Sequence, residues 1–383
     1  MTLTVICDVL GKENNGTTIA AMNLIRSMRR KGHTVRVVCS DGERRGEPDF
    51  YVVPQRNFGP LNSYLEKNGV NIAKPDDTIL KEALEGADAV HFITPFALSR
   101  RALRIACEMG LPITSGFHCQ AENFTSHLFL MNSRAVNKLV YKTFDRNFYR
   151  YVDCIHYPTQ FICDVFESEI RHETNHKVIS NGVSSAFAHF DVKKPRELNG
   201  KFVILFTGRY SREKSHKVLI DAVAISRHRS SIQLIFAGCG PLEDSLKRYS
   251  KKKNLANEPI FRFFSREDMV RTANCADLYV HPAEIEIEAI ACLEAISCGL
   301  VPVICDSPRS ATRFFAQSSR NLFRCNDPFD LAKKIDWWIE HPDERRRCSK
   351  RYMGYSERFR FDRCMDEMED MIVSNWEARN EKR

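Results

Sequence analysis

Short runs rich in β-branched residues alternate with amphipathic segments along most of the chain, and that alternation leaves few folds open. Parallel neighbours in a sheet cannot be joined by a tight turn; they need a crossover, usually a helix. Repeated strand–helix units therefore predict an α/β protein of doubly wound, parallel sheets. In the first half the strand candidates are Leu3–Val9, Thr34–Cys39, Ala89–Ile93, Ile113–Phe117, Cys154–Tyr157 and Lys177–Ser180. Helical stretches lie at Thr17–Arg30, Leu98–Met109 and Asn132–Tyr149. In the second half strands are expected at Phe202–Thr207, Gln233–Ala237, Ile260–Phe264, Leu278–Val280 and Val301–Cys305. Helices are expected at Ser215–Ile225, Leu242–Lys252, Glu267–Ala273, Glu288–Ser297 and Ser310–Phe315.

The 383 residues exceed one ordinary core. Domains of roughly 150 to 200 residues are the norm, so two are expected. The polar segment Ser184–Gly200, with its Pro and Gly, reads as the boundary. The expected domains are 1–183 and 200–360, with a helix over 361–383 packing back on the first. Beyond Asp330 the chain reads as helical, with a break near Gly354. Two doubly wound domains in series imply a cleft, with ligands at the carboxyl ends of the strands.

No apolar run reaches the length of about 18 residues that a bilayer span needs. The N-terminus, MTLTVICDVLGKENNG, reads as a buried strand rather than a signal peptide, so a cytoplasmic location is expected. The 14 cysteines form no Cys-x-x-Cys pair and no zinc-spaced cluster, and are expected to be structural thiols. A net charge of +8 suits phosphate-bearing partners. No helix-turn-helix, zinc finger or aromatic RNA-binding motif is present, which argues against nucleic acid.

Three stretches carry candidate chemistry. In FTGRYSREKSHKVLIDA a strand ends at Thr207, Gly208 permits a turn, and Arg209 and Lys214 flank a helix start. A planar guanidinium and an ammonium beside a helix N-terminus suit a diphosphate, though two solvated cations read equally well. In FAGCGPLEDSL, Gly238 and Gly240 leave a turn without side chains, so backbone could approach a ligand, and Pro241 could open the next helix. In HPAEIEIEAIACLEAISCG, Glu284, Glu286 and Glu288 alternate like outward strand positions, and Glu294 follows in a helical run. If helical throughout, Glu286 and Glu294 stand roughly 12 Å apart, too far for a glycosidase pair but suited to two ends of one ligand. The plain alternative has Glu284 and Glu288 solvated and Glu294 paired in the core.

These motifs, in order with VISNGVSSAF, resemble the retaining glycosyltransferases of family 4. The resemblance implies the GT-B fold, two Rossmann-like doubly wound domains facing across a cleft. It extends through the first half by the glycine loop at Gly16 and the histidine of GFHCQAEN. By resemblance, Glu286 contacts the transferred sugar and Glu294 the ribose. Arg209 and Lys214 match the diphosphate pair, His118 faces the sugar, and Asn181 and Gly182 enter the hinge. The family's Glu-Gly-Phe-Gly stands here as Glu286-Ile287-Glu288-Ala289, followed by Ile290. The glycines are gone and an acid is added, which leaves the donor sugar open. The implied chemistry is front-face transfer with retention, the leaving phosphate taking the acceptor proton and the cations steadying the diphosphate. No permanent cofactor and no metal is required by that scheme. The donor is expected to be UDP-glucose or UDP-galactose.

The acceptor is expected in the first half. In NSRAVNKLVYKTFDRNFYRY, Arg134, Lys138, Lys142, Arg146 and Arg150 recur every four residues. Val136, Val140, Phe144 and Phe148 recur in the same period, two residues out of phase. On a helix these stripes lie on opposite sides. Such a helix over 132–150 suits an anionic membrane surface, or else an ordinary domain helix with its basic side in water. Phe124, Leu128, Phe129, Leu130 and Met131 could line an acyl surface, and Lys251–Lys253 and Arg345–Arg347 add cations. The pattern is similar to bacterial diacylglycerol α-glucosyltransferases, peripheral enzymes of the inner membrane face. A ceramide or soluble saccharide acceptor, a GT-B epimerase and a non-catalytic nucleotide-sugar sensor are the alternatives.

Overall fold

The computed structural model describes residues 1–8, 10, 16–57, 59, 73–126 and 130–381. It divides into two compact units. Unit 1 comprises Met1–Asn181 and Cys364–Arg383, and unit 2 comprises Gly182–Arg363. The chain thus passes from one to the other at Asn181/Gly182. Ser184–Gly200, expected as the boundary, lies inside unit 2. Phe187 and Leu198 explain why: both are buried in that unit's apolar core.

Unit 1 holds β1 (Thr2–Ile6), β2 (Thr34–Cys39), β3 (Phe50–Val52), β4 (Ala89–Phe92), β5 (Ile113–Gly116), β6 (Cys154–Tyr157) and β7 (His176–Val178). Their order is β3-β2-β1-β4-β5-β6-β7, and every described pairing is parallel. The central strands β4, β5 and β6 are buried along their whole length, as a sheet covered on both faces requires. The helix Phe361–Asn380 ends in this unit. There Glu369 pairs with Lys31 and His33, each at 2.6 Å.

Unit 2 holds β8 (Phe202–Thr207), β9 (Ile232–Ala237), β10 (Ile260–Arg262), β11 (Leu278–His281), β12 (Pro302–Asp306) and β13 (Leu322–Arg324). Their order is β10-β9-β8-β11-β12-β13, again parallel. Each sheet reverses direction of growth once, between β1 and β4 and between β8 and β11. Crevices at such reversals are where doubly wound folds bind ligands.

The sequence pattern missed β3 and β13, three-residue edge strands too short to show alternation. It also missed the helices Asp77–Leu84 and Gln160–Ile170. Ser310–Phe315 is a tighter turn of helix, Ala311–Phe315, with i to i+3 bonding. Pro241 does not open the next helix, which begins at Glu243.

Candidate active site

The carboxyl ends of β8 and β9 meet backbone to backbone. Gly208 donates its N–H to Ala237 O at 3.0 Å, and Tyr210 donates to Cys239 O at 2.9 Å. A Cβ on Gly238 would stand 2.0 Å from Gly208 O, and one on Gly240 2.6 Å from Tyr210 N. These glycines are therefore required by the packing of two loops, not by open space for a ligand. Tyr210, fully buried, anchors the pair by donating to Phe236 O at 2.6 Å. The half-buried Arg209 is held between these fixed neighbours.

Beyond β11 the chain does not continue as a strand. Glu284 N–H donates to Glu213 O and Ala311 N–H to Glu286 O, each at 2.8 Å, so the loop is tied on both sides. The Lys214 ammonium donates to Glu286 Oε1. His281 Nε2 lies 3.0 Å from the same oxygen, and its Nδ1 lies 3.2 Å from the Tyr279 hydroxyl. Burial pushes the Glu286 carboxyl up, but Lys214 and His281 outweigh it and hold the pKa down at about 2. Burial holds His281 below its ordinary value, with Glu286 opposing. A neutral imidazole then donates from Nε2 to the carboxylate and accepts from Tyr279 at Nδ1.

Neither flanking acid is solvated. Glu284 is paired with Arg309 at 2.8 Å and accepts from Ser215 Oγ at 3.0 Å. Glu288 is 3% exposed. The expected helix from Glu288 starts instead at Ile290, so Glu286 and Glu294 are not two points on one helix. Ala289 precedes it with φ 62°, the left-handed conformation that glycine adopts without cost. The glycine is gone but its turn remains. Ile287 and Glu288 are thereby carried between β11 and the helix N-terminus. Glu294, one turn into Ile290–Ser297, makes no side-chain hydrogen bond among the described residues. Burial pushes its pKa up to about 7, and Arg266 only partly offsets this.

In unit 1, His118 follows β5. A Cβ on Gly116 would lie 2.3 Å from His118 Nε2, so that glycine makes room for the ring. Burial, then His156 and His91, hold His118 well below its ordinary pKa. Its carbonyl accepts from Thr17 Oγ1 at 3.4 Å, which ties it to the helix Gly16–Arg30. The structure thus places Gly16 and His118 in one unit, and Arg209, Lys214, Glu286 and residues 287–290 in the other, where Lys214 and Glu286 meet.

A family model for glycosyltransferase family 4 matches residues 14–187, and one for group 1 glycosyl transferases matches residues 189–352. The chain belongs to the family 4 glycosyltransferases. It is 24% identical over 229 residues to an alpha-monoglucosyldiacylglycerol synthase of Streptococcus pneumoniae, across 57% of this chain and 51% of that protein. The chain therefore spans about half the length of that relative. The catalytic domain of a cholesterol-alpha-glucosyltransferase from Helicobacter pylori is 46% identical over 40% of this chain and 96% of its own, with TM-score 0.39. HepE of Anabaena, solved with UDP-glucose, is 16% identical over 98% of this chain and 100% of its own, with TM-score 0.73. That likeness is one of fold, the GT-B arrangement of two Rossmann-like units.

For this family 4 glycosyltransferase, sequence reasoning missed His281 as a site residue. The available signal was its place as the last residue of a strand, directly before the acidic run. The basic helix also differs from its reading. It spans Arg134–Asn147, and its buried face is Asn137, Tyr141 and Asp145. Val136, Val140 and Phe144 are half-buried on one flank. Lys138 faces Glu169 at 3.8 Å, and Arg150 pairs with Asp145 at 2.8 Å. Leu128 and Phe129, and the side chain of Phe124, lie outside the described residues.

Proposed function

We propose that the chain is a retaining hexosyltransferase that moves glucose or galactose from UDP to a membrane lipid of the diacylglycerol type. The observation that carries this reading is the Lys214–Glu286–His281 cluster at the reversal of the unit 2 sheet. An ammonium has three N–H donors. One goes to Glu286, and the others serve diphosphate oxygens, together with the Arg209 fork. Lys214 and His281 both bind Oε1 of Glu286. The second oxygen, still ionised at neutral pH, accepts from a hydroxyl of the transferred sugar. Glu294 accepts from the ribose. As the anomeric C–O bond breaks, charge grows on the diphosphate and the two cations stabilise it. The acceptor hydroxyl forms the new bond on the same face and gives its proton to the leaving phosphate oxygen.

Support for a lipid acceptor comes from the named Streptococcus relative and from the basic surface of unit 1. Lys142, Arg146 and Arg150 line a depression of about 580 Å³ with Leu139 and Ile170. Arg146 also borders one of about 680 Å³ with Arg100, Arg101 and Arg104. Anionic headgroups suit such a surface, with roughly 1 kcal/mol from each cation near it. No helix among the described residues is long and apolar enough to cross a membrane. Peripheral attachment to the inner membrane face is therefore the mode proposed.

The test is UDP release with UDP-glucose and UDP-galactose, using GDP-mannose as control. Each donor is offered with dioleoylglycerol, with a sterol, or with no lipid, in anionic vesicles. UDP release that depends on dioleoylglycerol establishes the reading and names the hexose. Release only with soluble saccharides moves the acceptor off the membrane. Methanolysis products with inverted configuration would exclude retention.

A further inference from the structure

Cysteine, glutamate and histidine side chains meet at the outer edge of the unit 1 sheet, apart from the residues so far discussed. Cys163 and Glu167 stand one turn apart on the helix Gln160–Ile170, and His176 opens the edge strand β7. One ligand atom from each lies within 4.8 Å of the others. Cys163 Sγ is 3.5 Å from His176 Nε2. A tetrahedral Zn²⁺ at about 2.3 Å from sulfur and about 2.0 Å from nitrogen sets those two atoms roughly 3.5 Å apart. We propose that Cys163, Glu167 and His176 form a binding site for a thiolate-preferring divalent metal of the Zn²⁺ class, tying the helix to the edge strand.

The surroundings are those a ligand set needs. His176 Nδ1 lies 2.9 Å from Thr174 O and 3.2 Å from Glu167 Oε1, neither of which can donate, so Nδ1 carries the proton, Nε2 presents its lone pair to Cys163, and Oε2 is the Glu167 oxygen left for the metal. Ligating histidines typically fix their tautomer in this way. Thr174 also donates to Glu167 Oε1 from its N–H at 2.8 Å and its hydroxyl at 2.7 Å, which orients the carboxylate. Cys163 is buried, whereas the side chains of Glu167 and His176 are 18% and 27% exposed. A metal can therefore enter from their side. Three protein ligands leave the fourth position to water, as in an exchangeable site rather than a closed structural one. On binding, the Cys163 S–H proton is released and a metal–thiolate bond forms in its place. Without metal, burial and the neighbouring carboxylates keep that thiol protonated, its pKa up at about 12.

A plain S–H···N hydrogen bond has the same length, and titration with Co²⁺ separates the two. The full chain, stripped with chelator, should develop a thiolate-to-cobalt absorption band that saturates at one equivalent and is displaced by Zn²⁺. Cys163→Ser should abolish the band while far-ultraviolet circular dichroism stays unchanged. Thr174→Val, which keeps all three ligands, should weaken affinity about 10- to 100-fold. Glu167→Gln should weaken it at least tenfold and gives a readout if Cys163→Ser does not fold. No band in the wild type, an equal band in Cys163→Ser, or unaltered affinity in both Thr174→Val and Glu167→Gln would overturn the site.

Discussion

The carboxyl ends of β1 and β8 occupy equivalent places in their sheets, and the chain furnishes them in opposite ways. In unit 1, Asp8 follows β1 and accepts from Thr94, beyond β4, at 3.0 Å across the reversal of strand order. Its other oxygen, Oδ1, is buried with no hydrogen-bond partner among the described residues. Burial pushes its pKa up to about 6, against the weaker pull of Thr94. In unit 2, Glu286 sits across the corresponding reversal from Lys214, and its pKa falls to about 2. Both carboxyls are desolvated. What differs is an ammonium in contact, which turns a costly buried acid into a stable anion. Within unit 2 the same contrast recurs between Glu286 and Glu294. Burial alone makes a proton-binding group, and burial with a cation makes a fixed charge.

That contrast is broken most directly at Lys214. Lys214→Ala should reduce turnover about 10²- to 10³-fold, the loss typical of one charge-stabilising donor. Steady-state kinetics check it, and turnover within threefold of wild type would remove unit 2's charged pair from the chemistry. Glu294→Gln tests the uncharged member. Its folded pKa of about 7 exceeds the ordinary 4.5, so the folded state holds the extra proton between those values. Stability conferred at low pH should therefore fall as pH rises from about 5 to 8, by about 2 to 3 kcal/mol. Urea titrations at the two pH values should show that decline in the wild type and lose it in Glu294→Gln. Donor affinity should run the other way, tightening with pH through about 7, because only the anion accepts from both ribose hydroxyls.

Asp8→Asn sharpens the comparison from unit 1. The same sign applies, with stability declining between the ordinary 3.8 and about 6. At pH 8 the amide should recover about 2 kcal/mol of that loss, read by thermal unfolding. UDP affinity, measured by calorimetry, should not change; a large loss would put the donor at the unit 1 reversal. The smallest effect is expected at Ala289, whose φ of 62° glycine tolerates better. Ala289→Gly should stabilise by about 1 kcal/mol in denaturant melts. No gain would mean that its neighbours already compensate the strain.

Much of the architecture was readable because it is local. Strand β9 and the helix Gly16–Arg30 lie within a residue or two of their expected bounds, since side-chain periodicity reports which face each residue buries. Arg209 and Lys214 stand out by their places at a strand end and a helix start, and Glu286 and Glu294 by their spacing in an apolar run and by the family resemblance. Less was readable where meaning depended on partners. The alternating acids suggested an exposed strand face, yet Glu284 is ion-paired and Glu288 is buried. The basic helix showed two stripes, yet its buried face is Asn137, Tyr141 and Asp145, between them.

Order along the chain therefore determined the two parallel α/β units, because strand and helix periods are properties of neighbouring residues. Tertiary structure alone decided the charge of each carboxyl. Lys214 and Glu286 are 72 residues apart, and only their contact in the fold makes one anion permanent. Cys163 and His176, 13 apart, show no recognisable metal spacing, and only the docking of an edge strand on a helix aligns them. Electrostatic energy in a desolvated site depends on distance in space, which the sequence encodes only through the fold.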